Sequence, residues 1–423
     1  MLIIYSFPSP VNPPAQIFFV GGMLLKRCAL YDMMRITSRK ESVENRVEYE
    51  MKDLDKYRGC LAGGAAGDAL GYPVEFLTEQ AILARYGQEG ITGYELKNGT
   101  AEISDDTQMT LFTATGLLLA TTRRMTRGIS GTYTDYIRLS YTDWYRTQSQ
   151  RYPLPGNSHC SWLVNQPELF ACRAPGTTCL SALSSSGQGT VEHPINQSKG
   201  CGGIMRVAPI GLYLDRDALP IDQIDRIGAE AAALTHGHSL GYIPAAGLVH
   251  MVHLLAHCEG MTIPAAAADM RQAMARQFAG DPHLGEFLQL TDRAVALSRD
   301  ESVTDRDAIR ALGEGWVAEE TLAISLYCAL KYSQNFEKAL IASVNHSGDS
   351  DSTGSVTGNI VGTYLGYGKI PRKFLERLEL KDVILSVADD LYNDCQMTEY
   401  GDYYDEVWAR KYIRSSFAMG KRS

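Results

Sequence analysis

The chain has 423 residues, of which 45% are hydrophobic and 21% are charged, and its formal net charge is −9. This is the composition of an ordinary globular protein in water, and its acidic balance does not indicate a nucleic-acid partner. Its nine cysteines include no C-x-x-C pair, which argues against a disulfide framework or a zinc ribbon and predicts a reducing, cytoplasmic environment.

Residues 1–56 differ from the rest of the chain because they combine four prolines, a short apolar stretch and a charged run. The apolar stretch, Gln16–Leu25, is too short to cross a membrane and has no basic residue before it. We therefore predict neither a membrane span nor a signal peptide. This extension is a disordered leader, the result of a mis-assigned start site, or an arm that binds a partner through its apolar residues.

A helix is predicted from Tyr57 onward. Glycines recur along it every four residues, at Gly59, Gly63, Gly67 and Gly71. Residues four apart share a helix face, and each glycine destabilises a helix by about 1 kcal/mol relative to alanine. The stripe therefore predicts close approach of another backbone. The charge of Asp68 excludes a membrane-dimerisation stripe, and Rossmann and P-loop motifs are absent.

Glu75 follows the glycine stripe and stands between Val74 and Phe76. A carboxyl group in such apolar surroundings is either a satisfied buried polar group or a catalytic group with a raised pKa. The sequence alone does not separate these two interpretations.

Two acidic clusters, about 240 residues apart, each precede a helical pattern: Ser104-Asp105-Asp106 and Asp349-Ser350-Asp351-Ser352. One such cluster is weak evidence for a metal, because serine and aspartate are common at helix N-termini. Two clusters of carboxylates and hydroxyls together favour Mg²⁺ or Mn²⁺, which prefer oxygen ligands. If the fold joins them, they form a two-metal hydrolytic centre. An EF-hand is excluded because its twelfth position, which requires glutamate, is Ile360.

The middle of the chain contains a long irregular segment followed by further helices. Residues 152–203 are rich in proline, glycine, serine and cysteine, and a loop of this length is usually functional. At its end Ser198–Arg206 is glycine-rich, with Lys199 and Arg206 as its cations, and its N–H groups are suited to phosphate. His236 is either a core histidine or a ligand contact. Helical patterns are predicted over Ile224–Cys258 (with turns near Gly237 and Gly241), Ile263–Phe278, Glu286–Leu297 and Thr321–Tyr332. We predict one mainly helical domain over residues 57–410 and a basic tail over 411–423.

Taken in order, these motifs resemble the ADP-ribosylglycohydrolases, the family of dinitrogenase-reductase-activating glycohydrolase and the ADP-ribosylarginine hydrolases. The matching segments are Gly59–Phe76, Ser104–Leu119, Arg173–Thr177, Ser198–Tyr213, Ala233–His238, Glu314–Glu320 and Asn345–Gly362. The resemblance implies an all-α orthogonal helical bundle with a central two-metal cleft. It implies that two Mg²⁺ or Mn²⁺ ions are bound by Ser104, Asp105, Asp106, Asp349, Asp351 and Ser352.

The same resemblance implies roles for further residues. Asp105 or Asp351 would transfer protons with help from Glu75. The substrate-binding positions around the ribose and diphosphate would be Gly176, Gly200, Cys201, Gly202, Gly203 and His236. The implied reaction is hydrolysis of the bond between ADP-ribose and a protein side chain. The segment Arg173–Tyr213 is similar to the arginine-type branch rather than to the branch that cleaves serine-linked or poly-ADP-ribose.

The extension of residues 1–56 is similar to that of family members that serve as immunity proteins against ADP-ribosyltransferase toxins. In that interpretation the arm binds the toxin while the hydrolase domain removes its modification. The alternative is a stoichiometric toxin-binding protein with little hydrolase activity. The expected partners are an ADP-ribosylated protein and a cognate toxin, with no nucleic acid and no membrane.

Overall fold

The glycine stripe lies at the centre of the fold. In the computed structural model, which describes residues 52–129, 131–156, 159–185, 188–214 and 219–414, helix α1 (Leu54–Gly71) packs antiparallel to helix α14 (Ser350–Leu365). A Cβ atom added at Gly354 of α14 would lie only 2.5 Å from the carbonyl oxygen of Gly67 on α1. The two helices therefore touch along their backbones, which confirms the close approach that the stripe predicts.

The other helices follow in chain order. They are α2 (Glu79–Tyr86), α3 (Asp105–Arg127), α4 (Tyr133–Ser149), α5 (Thr177–Ser184), α6 (Ala208–Tyr213), α7 (Ile221–Ala233), α8 (Ser239–His257), α9 (Ile263–Gln277), α10 (Leu284–Ser298), α11 (Asp305–Leu312), α12 (Ala318–Lys331), α13 (Phe336–Val344), α15 (Lys381–Asn393) and α16 (Glu406–Ala409). The described residues form isolated β-bridges but no named strand. The prediction of an all-α fold is therefore confirmed.

Helix α8 lies in the core and contacts α14. It packs against α6, α7, α9, α12 and α14, and every one of its residues is buried. Its length and apolar composition match those of a membrane span, but a core helix passes the same test. The predicted turn near Gly237 separates α7 from α8, whereas the turn predicted near Gly241 is wrong. Gly241 lies inside α8, where a Cβ would lie 3.0 Å from the Ser198 carbonyl oxygen, so this glycine permits close packing.

A buried histidine joins three of these helices. The ring of His250 on α8 is hydrogen-bonded through Nδ1 to Asp225 of α7 (2.8 Å) and through Nε2 to Asp269 of α9 (2.9 Å). Burial alone would lower the pKa of His250, but the two carboxylates outweigh it and raise the pKa to about 9. His250 therefore carries a charge at neutral pH, and that charge is matched by the buried Asp225 and the partly exposed Asp269.

The packed structure continues beyond both predicted domain boundaries. Helix α1 begins at Leu54, with Asp53 as its N-cap. At the other end Tyr412 is buried, its hydroxyl donates to Asp390 (2.7 Å), and Lys411 forms an ion pair with the same carboxylate (2.6 Å). Residues 411–414 therefore belong to the packed domain and not to a tail. The rest of the predicted extension, residues 1–51, and of the tail, residues 415–423, lies outside the described residues.

Candidate metal centre and substrate cleft

The first acidic cluster lies at the N-terminus of α3. The Ser104 hydroxyl accepts a hydrogen bond from the Asp106 N–H (3.3 Å), as expected for an N-cap residue. Asp105 and Asp106 form the first turn, and all three residues are buried. Acidic residues are seldom fully buried, and their favourable interaction with the helix dipole does not require burial. The burial of two acids in this first turn is therefore unusual.

Asp68 of α1 fixes this turn, a role that the sequence reasoning missed. Its carboxylate accepts hydrogen bonds from the backbone N–H groups of Ser104 (3.0 Å) and Thr107 (3.1 Å), and a short one from the Thr107 hydroxyl. Burial and the neighbouring Asp351 raise the pKa of Asp68 to about 7. The available signal was an acid placed between glycines of a buried helix face.

The second acidic cluster lies at the N-terminus of α14. Asp349 is the N-cap, and its carboxylate accepts from the Ser352 N–H (3.2 Å) and from the Cys201 thiol (2.7 Å). Its own N–H donates to the Glu314 carbonyl (2.8 Å), which holds the turn in place. Asp351 follows in the first helical turn.

The fold brings both clusters into one cleft of about 330 Å³. Its lining consists of Glu75, Phe76, Asp105, Asp106, Ala174–Cys179, Gly200–Gly202, Met205, His236, Trp316, Asp349, Asp351 and Ser352. One carboxylate oxygen each from Glu75, Asp349 and Asp351 lies within 4.8 Å of the others. Every predicted site residue lines this cleft except Ser104, which lies buried as the cap of α3, and Gly203, which packs against Ala232 and Gly241.

The carboxyl groups in this cleft have raised pKa values. Burial, followed by repulsion from Asp351, raises the pKa of Asp105 and of Asp106 well above the usual range. Burial and neighbouring aspartates raise the pKa of Glu75 to about 11. The pKa of Asp351 is raised in the same way. Since so many buried acids repel one another, the cluster favours a bound cation.

The residues present fit divalent metal ions. All the predicted ligands offer oxygen, and two buried carboxylate oxygens, Glu75 Oε2 and Asp106 Oδ1, have no hydrogen-bond partner. Within the described ranges no lysine or arginine forms an ion pair with an acid that lines this cleft. Unpartnered carboxylate oxygens without a counter-ion are the donors that Mg²⁺ and Mn²⁺ require. The geometry thus supports a metal site, and the role of each ligand remains a prediction.

The glycine-rich loop closes one side of the cleft, but its cations do not line the cleft. Gly200–Gly202 face the cleft, and the Cys201 N–H donates to the Trp316 carbonyl (3.2 Å). Lys199 instead forms a short ion pair with Glu319, and Arg206 is fully buried beneath the loop. Any phosphate recognition here therefore depends on backbone N–H groups and not on these two cations.

The predicted substrate positions outside the loop also reach the cleft. The Gly176 N–H, just before α5, lies 3.4 Å from Asp105 Oδ2. His236 lies in the connection between α7 and α8, and a Cβ added at Gly202 would lie 2.9 Å from its Cε1 atom. A glycine at position 202 is therefore needed for the loop to approach the histidine ring.

An aromatic pair at the edge of the cleft was not predicted. The rings of Phe76 and Trp316 are stacked with centroids 5.8 Å apart and an interplanar angle of 22°. Phe76 is 71% exposed and Trp316 is 38% exposed, although large aromatic side chains are usually buried. Both residues stand in segments that the sequence analysis had matched to the family, but no pattern in the sequence shows that the two rings meet.

Comparisons with known proteins agree with this architecture. The chain is similar to the ADP-ribosyl-(dinitrogen reductase) glycohydrolase of Rhodospirillum rubrum, with 27% identity over 333 residues that cover 77% of this chain and 91% of that protein. It is 24% identical to human ADP-ribosylhydrolase ARH3 over 361 residues (78% and 90% covered). Against the ADP-ribosylarginine hydrolase Tri1 of Serratia proteamaculans, identity is 24% over 344 residues (81% and 80% covered).

The fold is also found among solved structures. A chain of an ADP-ribosylglycohydrolase-related protein complex superposes with a TM-score of 0.53 at 22% identity, covering 80% of this chain and 98% of that chain. The family model for ADP-ribosylglycohydrolase, whose members hydrolyse ADP-ribose linkages, matches residues 50–401. The protein therefore belongs to the ADP-ribosylglycohydrolase family.

Proposed function

We propose that this protein hydrolyses the N-glycosidic bond between ADP-ribose and an arginine side chain of a modified protein. The observation that carries the proposal is the meeting of both acidic clusters, the glycine loop and His236 in one cleft. The family supports an ADP-ribose linkage as the substrate. The arginine acceptor is supported by the similarity to a protein named ADP-ribosylarginine hydrolase.

Ser104, Asp105, Asp106, Asp349, Asp351 and Ser352 would hold the metal ions, which we propose to be two Mg²⁺ or Mn²⁺. Bound there, such ions supply Lewis acidity and neutralise negative charge beside the scissile bond. Without them the cleft holds five carboxyl groups that repel one another.

The reaction breaks the bond between ribose C1″ and the guanidine nitrogen, and a water oxygen forms the new bond to C1″. The sugar carbon becomes cation-like as the bond breaks, and the buried carboxylates stabilise that charge. The departing guanidine nitrogen takes up a proton, and the attacking water loses one. Asp105, Asp351 and Glu75 all line the cleft and are the candidates for these proton transfers.

The remaining parts of the cleft suit the ADP portion. Gly176 precedes the N-terminus of α5. In the glycine loop the Cys201 N–H already donates to Trp316, so Gly202 is the next backbone donor beside the cleft. Backbone N–H groups at such positions bind phosphate oxygens. The exposed rings of Phe76 and Trp316 offer a flat apolar surface to a base or a ribose.

The test is release of ADP-ribose from arginine-ADP-ribosylated protein, compared with serine-linked and poly-ADP-ribose substrates. We expect release from the arginine substrate with Mg²⁺ or Mn²⁺ but not with EDTA. The double variant Asp349→Ala/Asp351→Ala should be inactive, and the exposed Asp402→Ala should match the wild type. Preferential release from serine would replace the arginine assignment, and no release from any substrate would remove the hydrolase proposal.

A second candidate function rests on the residues that precede the family match. The family model begins at residue 50, so the proline-rich and apolar stretch before it is additional to the hydrolase domain. We infer that this arm binds an ADP-ribosyltransferase toxin in the cytoplasm, since a short apolar peptide segment can occupy a groove on a partner protein. Pull-down of a cognate toxin by full-length protein but not by a protein lacking residues 1–51 is expected. Equal binding by both would remove the role of the arm.

A further inference from the structure

Arg206 carries a positive charge in a place where no carboxylate matches it. The side chain is fully buried, and its guanidinium lies 4.4 Å above the ring of Tyr141. Nη2 donates to the Ala231 carbonyl (3.1 Å) and the Thr235 hydroxyl (2.7 Å), while Nη1 faces the sulfur atoms of Met109 and Cys179. Among the described residues no acid forms an ion pair with it. A buried charge held only by neutral acceptors is costly, which points to a function for its donors.

The bond from Arg206 determines what the Thr235 hydroxyl can do. A guanidinium only donates, so Thr235 Oγ1 must accept from it and still has one proton to give. The acceptors near that proton are His236 Nδ1 at 2.8 Å, the Ala232 carbonyl at 3.5 Å and the sulfur atom of Cys179, which accepts only weakly. The shorter contact is the normal length for a hydrogen bond and the longer one is at its limit. Donation to His236 Nδ1 is therefore the arrangement that best satisfies the hydroxyl proton.

An imidazole that accepts at Nδ1 carries its proton on Nε2. Burial and the nearby Arg206 charge also lower the pKa of His236 to about 3, so the ring is neutral at physiological pH. Nε2 faces the glycine loop, since a Cβ added at Gly200 or Gly202 would lie 3.3 Å from it. No described residue accepts a hydrogen bond from Nε2.

We propose that Arg206 and Thr235 are positioning residues that hold His236 as a neutral Nε2–H donor aimed into the cleft. His236, which the family resemblance already places beside the ribose and diphosphate, then donates to an acceptor oxygen there and takes no part in proton transfer. The ligand in this statement rests on the proposed function. The protonation state of the ring does not.

The first experiment measures the ring itself, by nitrogen-15 NMR of the histidine side chains in the ligand-free full-length protein. A His236→Gln variant assigns the signals. We expect Nε2–H and a bare Nδ1 throughout the range from about pH 5 to 8 in which an ordinary histidine titrates. Thr235→Val should shift the ring toward the Nδ1–H form, while Thr235→Ser, which keeps the hydroxyl, should not. An imidazolium or an Nδ1–H ring in the wild-type protein at neutral pH would overturn the proposal.

The second experiment measures ADP-ribose affinity by calorimetry, with urea unfolding as the control for stability. Loss of one oriented hydrogen bond should weaken binding about tenfold in Thr235→Val. Thr235→Ser should bind like the wild type, and His236→Gln, which keeps a donor near the Nε2 position, should bind more tightly than His236→Leu. Equal binding by Gln and Leu variants would remove the donor role. If the ring has the expected form but ADP-ribose does not bind, the proposed function fails and the Arg206–Thr235–His236 assignment stands.

Discussion

The contact between α1 and α14 allows a quantitative test of how the cleft is assembled. The perturbation is Gly354→Ala. The added Cβ would lie 2.5 Å from the Gly67 carbonyl oxygen and 2.8 Å from Val344 Cγ1, against an ordinary contact distance of 3.4 Å. The Val344 methyl group can rotate away, but the Gly67 oxygen belongs to the backbone. The two helices must therefore separate by about 1 Å at this level.

Two opposing effects determine the free energy of unfolding. Overpacking of this kind costs about 3 kcal/mol when the obstacle is rigid. Alanine in place of glycine within a helix returns about 1 kcal/mol. We expect Gly354→Ala to lower the free energy of unfolding by about 2 kcal/mol. Because α14 carries Asp349, Asp351 and Ser352 at its start, the same displacement should weaken Mn²⁺ binding more than tenfold, given that about 1 Å of misplacement can cost a hundredfold in catalysis.

The assays are urea unfolding followed by circular dichroism and Mn²⁺ binding followed by electron paramagnetic resonance. Gly285→Ala is the matched control, since Gly285 also lies in a helix but a Cβ there meets no atom within 4 Å. That variant should be as stable as the wild type or up to about 1 kcal/mol more stable. If Gly354→Ala behaves like Gly285→Ala in both assays, the backbone contact does not limit the fold and the reasoning is refuted.

Three further predictions concern the metal, pH and the aromatic pair. Asp351→Asn should stabilise the metal-free protein in EDTA, because it replaces a buried carboxyl group whose raised pKa lowers stability at neutral pH. It should also abolish the stabilisation by Mg²⁺, about 2.7 kcal/mol at a hundred times Kd. An unchanged response to Mg²⁺ in urea unfolding contradicts this. His250→Gln should destabilise the protein most below pH 6.5, and the difference in unfolding free energy from the wild type should shrink as pH rises through about 9. The reason is that a raised pKa in the folded state stabilises the protein only while the histidine is protonated. A difference that does not depend on pH in urea titrations would exclude the charged histidine. Trp316→Ala should weaken ADP-ribose binding about tenfold in calorimetry, which is the usual value of one stacking contact. Tyr400 is 91% exposed and lies outside the cleft lining, so Tyr400→Ala should not change the affinity. Equal affinities of the two variants would remove Trp316 from the binding surface.

The sequence predicted close backbone approach to α1 but did not identify α14 as the partner helix. The α1 glycines indicated a close backbone, and the partner stripe was also present, since Gly354, Gly358 and Gly362 repeat at the same spacing. Pairing the two stripes requires contacts between residues about 300 apart, which periodicity in a local window does not reveal. Only the family resemblance connected these distant regions, because it assigned metal ligands to both acidic clusters.

The same limit applies to the cleft. Most of the residues that line the cleft could be predicted because a helix N-terminus is a local feature of the sequence. The clusters after Ile103 and Gly348 mark two such N-termini clearly. The orientations of Lys199 and Arg206 could not be predicted, because the sequence beside a glycine loop has no local signal for which way a cation turns. Arg206 turns inward to Thr235, and Lys199 turns away from the cleft to the buried Glu319. Asp68 was missed because its hydrogen bonds reach Ser104 and Thr107, on another helix.

The pairing of α1 with α14 also has a consequence for the order in which the protein is made. The Asn359 side chain of α14 donates to the Cys60 carbonyl of α1 (2.9 Å) across 299 residues of chain. A ribosome must therefore synthesise nearly the whole domain before α1 meets its partner, and contacts of such separation form slowly. Until then the glycine face of α1 lacks the helix that covers it, and the aspartates that would share a metal are separated by about 240 residues of nascent chain. A chain that stops before residue 350 lacks α14 and cannot acquire the centre, whatever the metal concentration in the cell.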